Sequence, residues 1–97
     1  MATASLSTHV LDTGAGRPAA GVEVRLTARG ELIASAQTGP DGRAQLGDEL
    51  APGVYRLAFA PPSAFFRRVE LEIELAEGHY HVPLIVSPYS CASYRGS

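Results

Sequence analysis

Residues Arg68–Leu75 read RVELEIEL, and the alternation is unbroken: Val69, Leu71, Ile73 and Leu75 on one parity, Glu70, Glu72 and Glu74 on the other. Successive side chains of a β-strand point to opposite faces, so a period of two marks a strand with one face on a core and one in water. The glutamate row is then a solvated sheet face rather than a set of metal ligands. Working outward, Val22–Ala28 repeats the pattern, with Val22, Val24 and Leu26 set against Glu23, Arg25 and Thr27. Shorter runs at Leu6–Leu11, Leu32–Thr38, Ala44–Leu46, Val54–Ala60 and Tyr80–Ser87 also read as strands.

Between these runs lie DTGAGRPAAG (Asp12–Gly21), ARGE (Ala28–Glu31), TGPDGR (Thr38–Arg43), LAPG (Leu50–Gly53) and APPSA (Ala60–Ala64). Gly, Pro and Asp stand in them where tight turns need positive φ, a fixed φ or a side chain that bonds its own backbone. No window of about 10–12 residues carries helical periodicity. The expected architecture is therefore all-β, a β-sandwich of seven to eight short strands with little or no helix. Residues 1–97 make a single domain. Pro83 falls inside the last run and has no N–H to give a ladder, which predicts either an edge strand or a bulge there.

The 97 residues are 45% hydrophobic and 19% charged, the balance of a folded domain rather than a disordered one. Eight basic residues, all of them arginine, against ten acids give a net charge of −2, which is no footprint for nucleic acid. A single cysteine, Cys91, excludes an intrachain disulfide. The start, MATASLSTHVLD, has neither a basic head nor an apolar core of about 7–15 residues, so it is not a secretory signal. No apolar run nears the ~20 residues of a membrane helix. These features predict a soluble, cytoplasmic protein. A domain this small buries only roughly 60–65% of its unfolded surface, so assembly is a natural source of further burial.

Chemistry has few places to reside. His9 shares parity with Ser7 and Leu11, and His81 with His79, Pro83 and Ile85, so both can project from the same kind of sheet face. In the plain reading each histidine is a satisfied polar residue at a strand end. His79-x-His81 has a spacing that zinc sites use, but the third ligand would have to be His9 or an acid, and no metal is expected. A G-x-S-x-G elbow is missing, which removes the usual serine hydrolase. An imidazole activating water, with an arginine from Arg17, Arg43, Arg67, Arg68 or Arg95 stabilising negative charge, fits the residue types.

Two layers of family pattern go further. GRPAAGVEVRL, TGPDGRAQL and LAPGVYRLAF resemble prealbumin-like sandwich modules, a likeness of turns and core alternation that implies fold alone. LSTHVLDT (Leu6–Thr13) and HYHVPLIVSPYSCASYRGS (His79–Ser97) resemble the transthyretin family. The closing Tyr-Arg-Gly-Ser matches its enzymatic branch, the 5-hydroxyisourate hydrolases of purine and urate catabolism. The resemblance covers nearly the whole chain. It implies hydrolysis of a ring amide in 5-hydroxyisourate to OHCU, the carboxylated, ureido-bearing imidazoline, with no metal or organic cofactor. Carried over by motif, His9, His81 and Ser97 are catalytic, with the base left open among these groups. His9, Arg43, Tyr94, Arg95 and Gly96 bind substrate. The resemblance further implies a homotetramer with sites at the dimer–dimer interface and a small purine-derived molecule as its partner.

The chain also departs from that pattern. APPSAFFRRVELEIEL passes almost directly from one strand to the next, where the family carries a longer segment with a short helix. SPYSCAS stands in place of the usual SPYGYST, with Cys91 at an aromatic position, where it can alter a pocket wall or an interface or be inert. The competing readings are a non-enzymatic carrier of small ligands, which predicts an apolar channel, and a structural sandwich, which has no need of the two terminal motifs.

Overall fold

Val24 and Leu26, Leu57 and Phe59, Leu6 and Val10, and Leu84 and Val86 are all essentially sealed from solvent, and in each pair the residues are two or four apart. Each pair is the inward parity of one strand, and together they form one core between two sheets. Burying a side chain of this kind contributes about 1.5–3 kcal/mol, so a handful of such residues outweighs any single polar contact on the surface.

The computed structural model describes residues 2–96. They form β1 (Ala4–Asp12), β2 (Arg17–Pro18), β3 (Glu23–Ala28), β4 (Glu31–Gln37), β5 (Arg43–Leu50), β6 (Gly53–Phe59), β7 (Val69–Leu75), β8 (Gly78–Ser87) and β9 (Ser90–Ser93), with no helix among them. One sheet runs β2-β1-β8-β9, with β5 also on β1; the other runs β4-β3-β6-β7. The all-β sandwich is thus as the alternation predicts. Two strands exceed the expected set: β2, a two-residue pairing, and β9, whose Ser-Cys-Ala-Ser lacks the apolar alternation that marks a strand. The inward residues of β7 are only half-buried apart from Leu75, because β7 is the last strand of its sheet.

β1 is the axis of the site-bearing sheet. It pairs antiparallel with β5 along one side and parallel with β8 along the other. Buried Thr8 joins the ladder with its side chain, donating to the Val82 carbonyl at 2.6 Å. Among the described residues β8 is therefore flanked on both sides, and the expectation of an edge strand or bulge at Pro83 is corrected. β9 pairs with β8 from Leu84 to Ser87, and the same register returns at the His81–Gly96 bridge. Pro83 sits opposite the gap, where its missing N–H would have faced Tyr94. The Ser93 hydroxyl donates instead to the Pro83 carbonyl at 2.8 Å. The proline thus interrupts a ladder rather than ending a sheet.

The Ala60–Arg68 connection crosses from β6 to β7 without a helix. Ser63 Oγ caps its turn by accepting from the Phe65 and Phe66 amides at 3.1 and 2.9 Å.

Candidate active site

Register decides which polar side chains meet. With Leu6, Thr8 and Val10 turned inward, Ser5, Ser7 and His9 turn outward. The parallel pairing sets Ser5 beside His79, Ser7 beside His81 and His9 beside Pro83. On the other side of β1, Arg43 lies opposite His9 and Gln45 opposite Ser7. The outer face of this sheet therefore gathers two imidazoles from the two ends of the chain and a guanidinium from the middle. The His9 and His81 ring centroids are 6.4 Å apart and tilted by 46°. A hollow of about 340 Å³ opens over this face, bordered by Ser7, Asp41, Arg43, Gln45, His79 and His81.

Two glycines shape the imidazoles. Gly42, at φ 79°, lies so close to β1 that a Cβ there would stand 2.5 Å from the Val10 carbonyl oxygen and 3.2 Å from His9 Cδ2. Its own carbonyl accepts from the Val10 amide at 2.8 Å. Asp41 sets this turn by accepting from the Arg43 amide at 3.0 Å. At the other imidazole, a Cβ on Gly96 would stand 2.9 Å from His81 Cδ2, and the Gly96 amide donates to the His81 carbonyl at 2.6 Å. The Pro-Asp-Gly turn and the Gly near the chain end are thus the walls against which His9 and His81 rest.

The partners of His79 and His81 are serine hydroxyls. Ser7 Oγ lies 2.8 Å from His81 Nδ1 and 3.1 Å from His79 Nε2, and Ser5 Oγ lies 2.6 Å from His79 Nδ1. Burial holds the His81 pKa below the ordinary 6.5, and the positive charge of Arg43 and the neighbouring His9 and His79 push it the same way. His81 is therefore a neutral imidazole at neutral pH, ready to accept a proton at Nε2. His9 Nε2 is fully enclosed and has no hydrogen-bond partner among the described residues. An enclosed polar atom without a partner costs about 1–3 kcal/mol. Such an atom is a place where a ligand or water is expected to bond. Arg43 is largely exposed, tethered to Asp41 only at 3.9 Å, and free to turn toward an anion.

Of the residues singled out in the sequence, His9, His81, Arg43 and Gly96 come together here. Tyr94 and Arg95 border a different and larger hollow, about 610 Å³, along β7, and the Arg95 guanidinium stacks 4.2 Å over the Tyr80 ring. That hollow carries Glu70, Glu72 and Glu74 but no imidazole, so the acid–base chemistry belongs to the smaller one. Ser97 lies outside the described residues. Cys91 packs against the core, and burial pushes its thiol pKa up from 9.0, so of the readings open for it the inert one fits. Sequence reasoning missed Ser7, His79 and Gly42 as parts of the site; the Pro-Asp-Gly turn directly before Arg43 was the available signal for the last. Among the described residues no cluster of three or more His, Cys, Asp or Glu has the spacing to hold a metal ion. No helix is long and apolar enough to cross a membrane.

Fold and site together define a class: a helix-free two-sheet sandwich with an imidazole–guanidinium cluster on one outer sheet face. The family model for the HIUase/Transthyretin family matches residues 6–96, and the chain belongs to that family. It is similar to the 5-hydroxyisourate hydrolase of Caulobacter vibrioides, 40% identical over 112 aligned positions that take in 95% of this chain and 97% of that protein. The alignment exceeds the length of this chain, so that relative carries segments missing here. The structure of Klebsiella pneumoniae 5-hydroxyisourate hydrolase superposes with a TM-score of 0.87 at 34% identity, covering 97% of this chain and 99% of that one. Sea bream transthyretin, solved in complex with thyroxine, superposes at 0.82 with 28% identity over 94% of this chain and 93% of that one.

Proposed function

We propose that this chain is a 5-hydroxyisourate hydrolase, an enzyme of urate degradation that opens a ring amide of its substrate to give OHCU. The observation that carries the reading is the β1–β8 pairing, which sets the His9 and His81 rings 6.4 Å apart on one sheet face with Arg43 opposite His9. The carrier alternative predicts an apolar channel, whereas the rim here is serine, histidine, arginine, aspartate and glutamine.

In the mechanism, a water molecule lies between the imidazoles and the ring carbonyl. Neutral His81 takes a proton from it as its oxygen bonds to the carbonyl carbon. The fork of Arg43 holds the substrate and stabilises the negative charge that develops on the carbonyl oxygen. The C–N bond then breaks, the nitrogen takes a proton back from an imidazole, and the new carboxylic acid releases its remaining proton to solvent to become a carboxylate. His9, its ring centroid 6.4 Å from that of His81, is the second imidazole of the set. Gly96 keeps the space beside His81 open. Tyr94, Arg95 and Ser97 belong to the substrate-binding and catalytic set through the family motif. A homotetramer with its sites between dimers, and a cytoplasmic location, belong to the same proposal.

The test is to generate 5-hydroxyisourate in place with urate oxidase and follow its ultraviolet decay with and without the protein. Decay faster than the spontaneous rate supports the hydrolase. Decay at the spontaneous rate, from a sample shown to be folded and tetrameric, would sink it.

A further inference from the structure

We propose that His79 is a positioning residue that relays protons for His81 through Ser7, with Ser5 as the outlet to solvent. The inference rests on the hydrolase reading and deepens it. Its basis is a continuous hydrogen-bonded chain along the outer face of β1 and β8. Ser5 Oγ is 2.6 Å from His79 Nδ1, His79 Nε2 is 3.1 Å from Ser7 Oγ, and Ser7 Oγ is 2.8 Å from His81 Nδ1. The in-register parallel pairing of Ser5 with His79 and Ser7 with His81 alternates hydroxyl and imidazole without a break. His79 is exposed, while Ser5, Ser7 and His81 are half-buried, so the chain links an exposed imidazole to the one that faces the hollow.

A hydroxyl gives one proton and accepts others, and a neutral imidazole has one N–H and one bare nitrogen. The chain therefore has two fully bonded arrangements. In one, His81 Nδ1–H donates to Ser7, the Ser7 hydroxyl donates to His79 Nε2, and His79 Nδ1–H donates to Ser5; His81 Nε2 is bare and is a base. In the other every donor is reversed, and His81 Nε2 carries a proton and is an acid.

Hydrolysis needs one and then the other. When the attacking water gives its proton to His81 Nε2, the Nδ1 proton passes to Ser7, the Ser7 proton to His79 Nε2, the His79 Nδ1 proton to Ser5, and the Ser5 proton to solvent. One proton enters and one leaves, and every member is neutral before and after. When the ring nitrogen departs, His81 Nε2–H protonates it and the chain runs back, taking a proton from solvent at Ser5. The relay spares His81 an imidazolium charge that burial and the adjacent Arg43 and His9 both oppose.

The experiment compares wild type, His79→Ala and Ser5→Ala in the decay assay. It also records the ring nitrogen-15 resonances of His81 without substrate, at a pH where both imidazoles are neutral. The expected result for His79→Ala is a kcat lower by about tenfold, a fraction of what a full acid–base group supplies, with KM within about twofold and partial rescue by added imidazole. Ser5→Ala loses less, about threefold. The balance between the two His81 tautomers shifts in His79→Ala, because its partner through Ser7 has gone. An unchanged tautomer balance, a wild-type kcat, or a loss confined to KM and not rescued by imidazole overturns the relay. A wild type without activity overturns the hydrolase reading instead, and the resonances still decide whether the two imidazoles are coupled.

Discussion

The two sheets present outer faces built on the same alternation, and they resolve their polarity in opposite ways. On β3, β6 and β7 most of the charged outward residues find one another: Arg25 meets Glu23 at 3.6 Å, and Arg56 meets Glu70 and Glu72 at 3.7 and 4.0 Å. All these side chains are more than a third exposed, so water shares the work, and each pair contributes little to stability. On β1, β5 and β8 the outward residues about the hollow are serines, imidazoles, Gln45 and Arg43, with the acids Asp48 and Glu49 farther along β5. The serines and imidazoles bond into a chain, and His9 Nε2 is left enclosed with no partner among the described residues. What marks a reactive face, by this comparison, is polarity left incomplete. The charge-rich face is closed upon itself, and the face with less charge still has bonds to make.

The comparison breaks if both faces tolerate substitution equally. The largest effects are expected at His81 and Arg43. His81→Ala lowers kcat by about 10²–10⁴, and Arg43→Ala by about 10²–10³, each with a circular dichroism spectrum like that of wild type; a well-folded, fully active His81→Ala excludes the assignment. Gly42→Ala acts on stability as well. Its methyl meets backbone at a positive φ, so unfolding in denaturant is expected to be easier by about 2–4 kcal/mol. Gly96→Ala meets the His81 ring at 2.9 Å and the His81 carbonyl oxygen at 3.3 Å, and should slow turnover with a change in stability of about 1 kcal/mol.

The acid side of the profile sharpens the contrast further. His81 is held below the ordinary 6.5, so it remains a neutral base as pH drops past that value, and the acid limb of kcat/KM falls below it. Its contribution to stability is complete above 6.5 and is lost as the pH falls from there through the lowered folded value, because the unfolded chain takes up the proton first. In Arg43→Gln the His81 proton resonances should titrate closer to 6.5; a titration unmoved by that change removes Arg43 as a neighbour of the ring. Smallest of all, Arg56→Gln and Glu72→Gln on the other face should change stability by less than about 0.5 kcal/mol and leave the rate alone.

Much of this contrast was legible in the sequence. RVELEIEL names its own inner and outer faces because a strand has a strict period of two, and the parity of His9 and His81 follows from the same rule. Pairing does not follow, since nothing local says that Ser7 will lie beside His81 on a strand more than seventy residues away. Ser7 and His79 were therefore silent as single residues and meaningful only in register. Pro83 misled for a related reason: its missing N–H suggested an edge strand or a bulge, and it proved to be a one-step gap in a ladder that resumes. β9 went unseen because Ser90–Ser93 is held by hydrogen bonds to β8 and not by an apolar stripe. The family motifs, by contrast, pointed to His9, His81, Arg43 and Gly96 before any geometry was known: the two ends to the imidazoles and the glycine, DGR to the arginine.

The gap at Pro83 has a consequence for how the molecule breathes. Past β9, the last described residues meet the sheet through the His81–Gly96 bridge, one amide bonded to one carbonyl, and through the stack of Arg95 on Tyr80. Few bonds hold Tyr94–Gly96, so this segment can lift as a unit far smaller than the domain. Amide hydrogen exchange at Gly96 should then be fast and insensitive to denaturant, while that of β8 at Leu84 and Val86 waits for global unfolding. The wall behind one imidazole is thus a latch that can open without any loss of the sandwich that holds it.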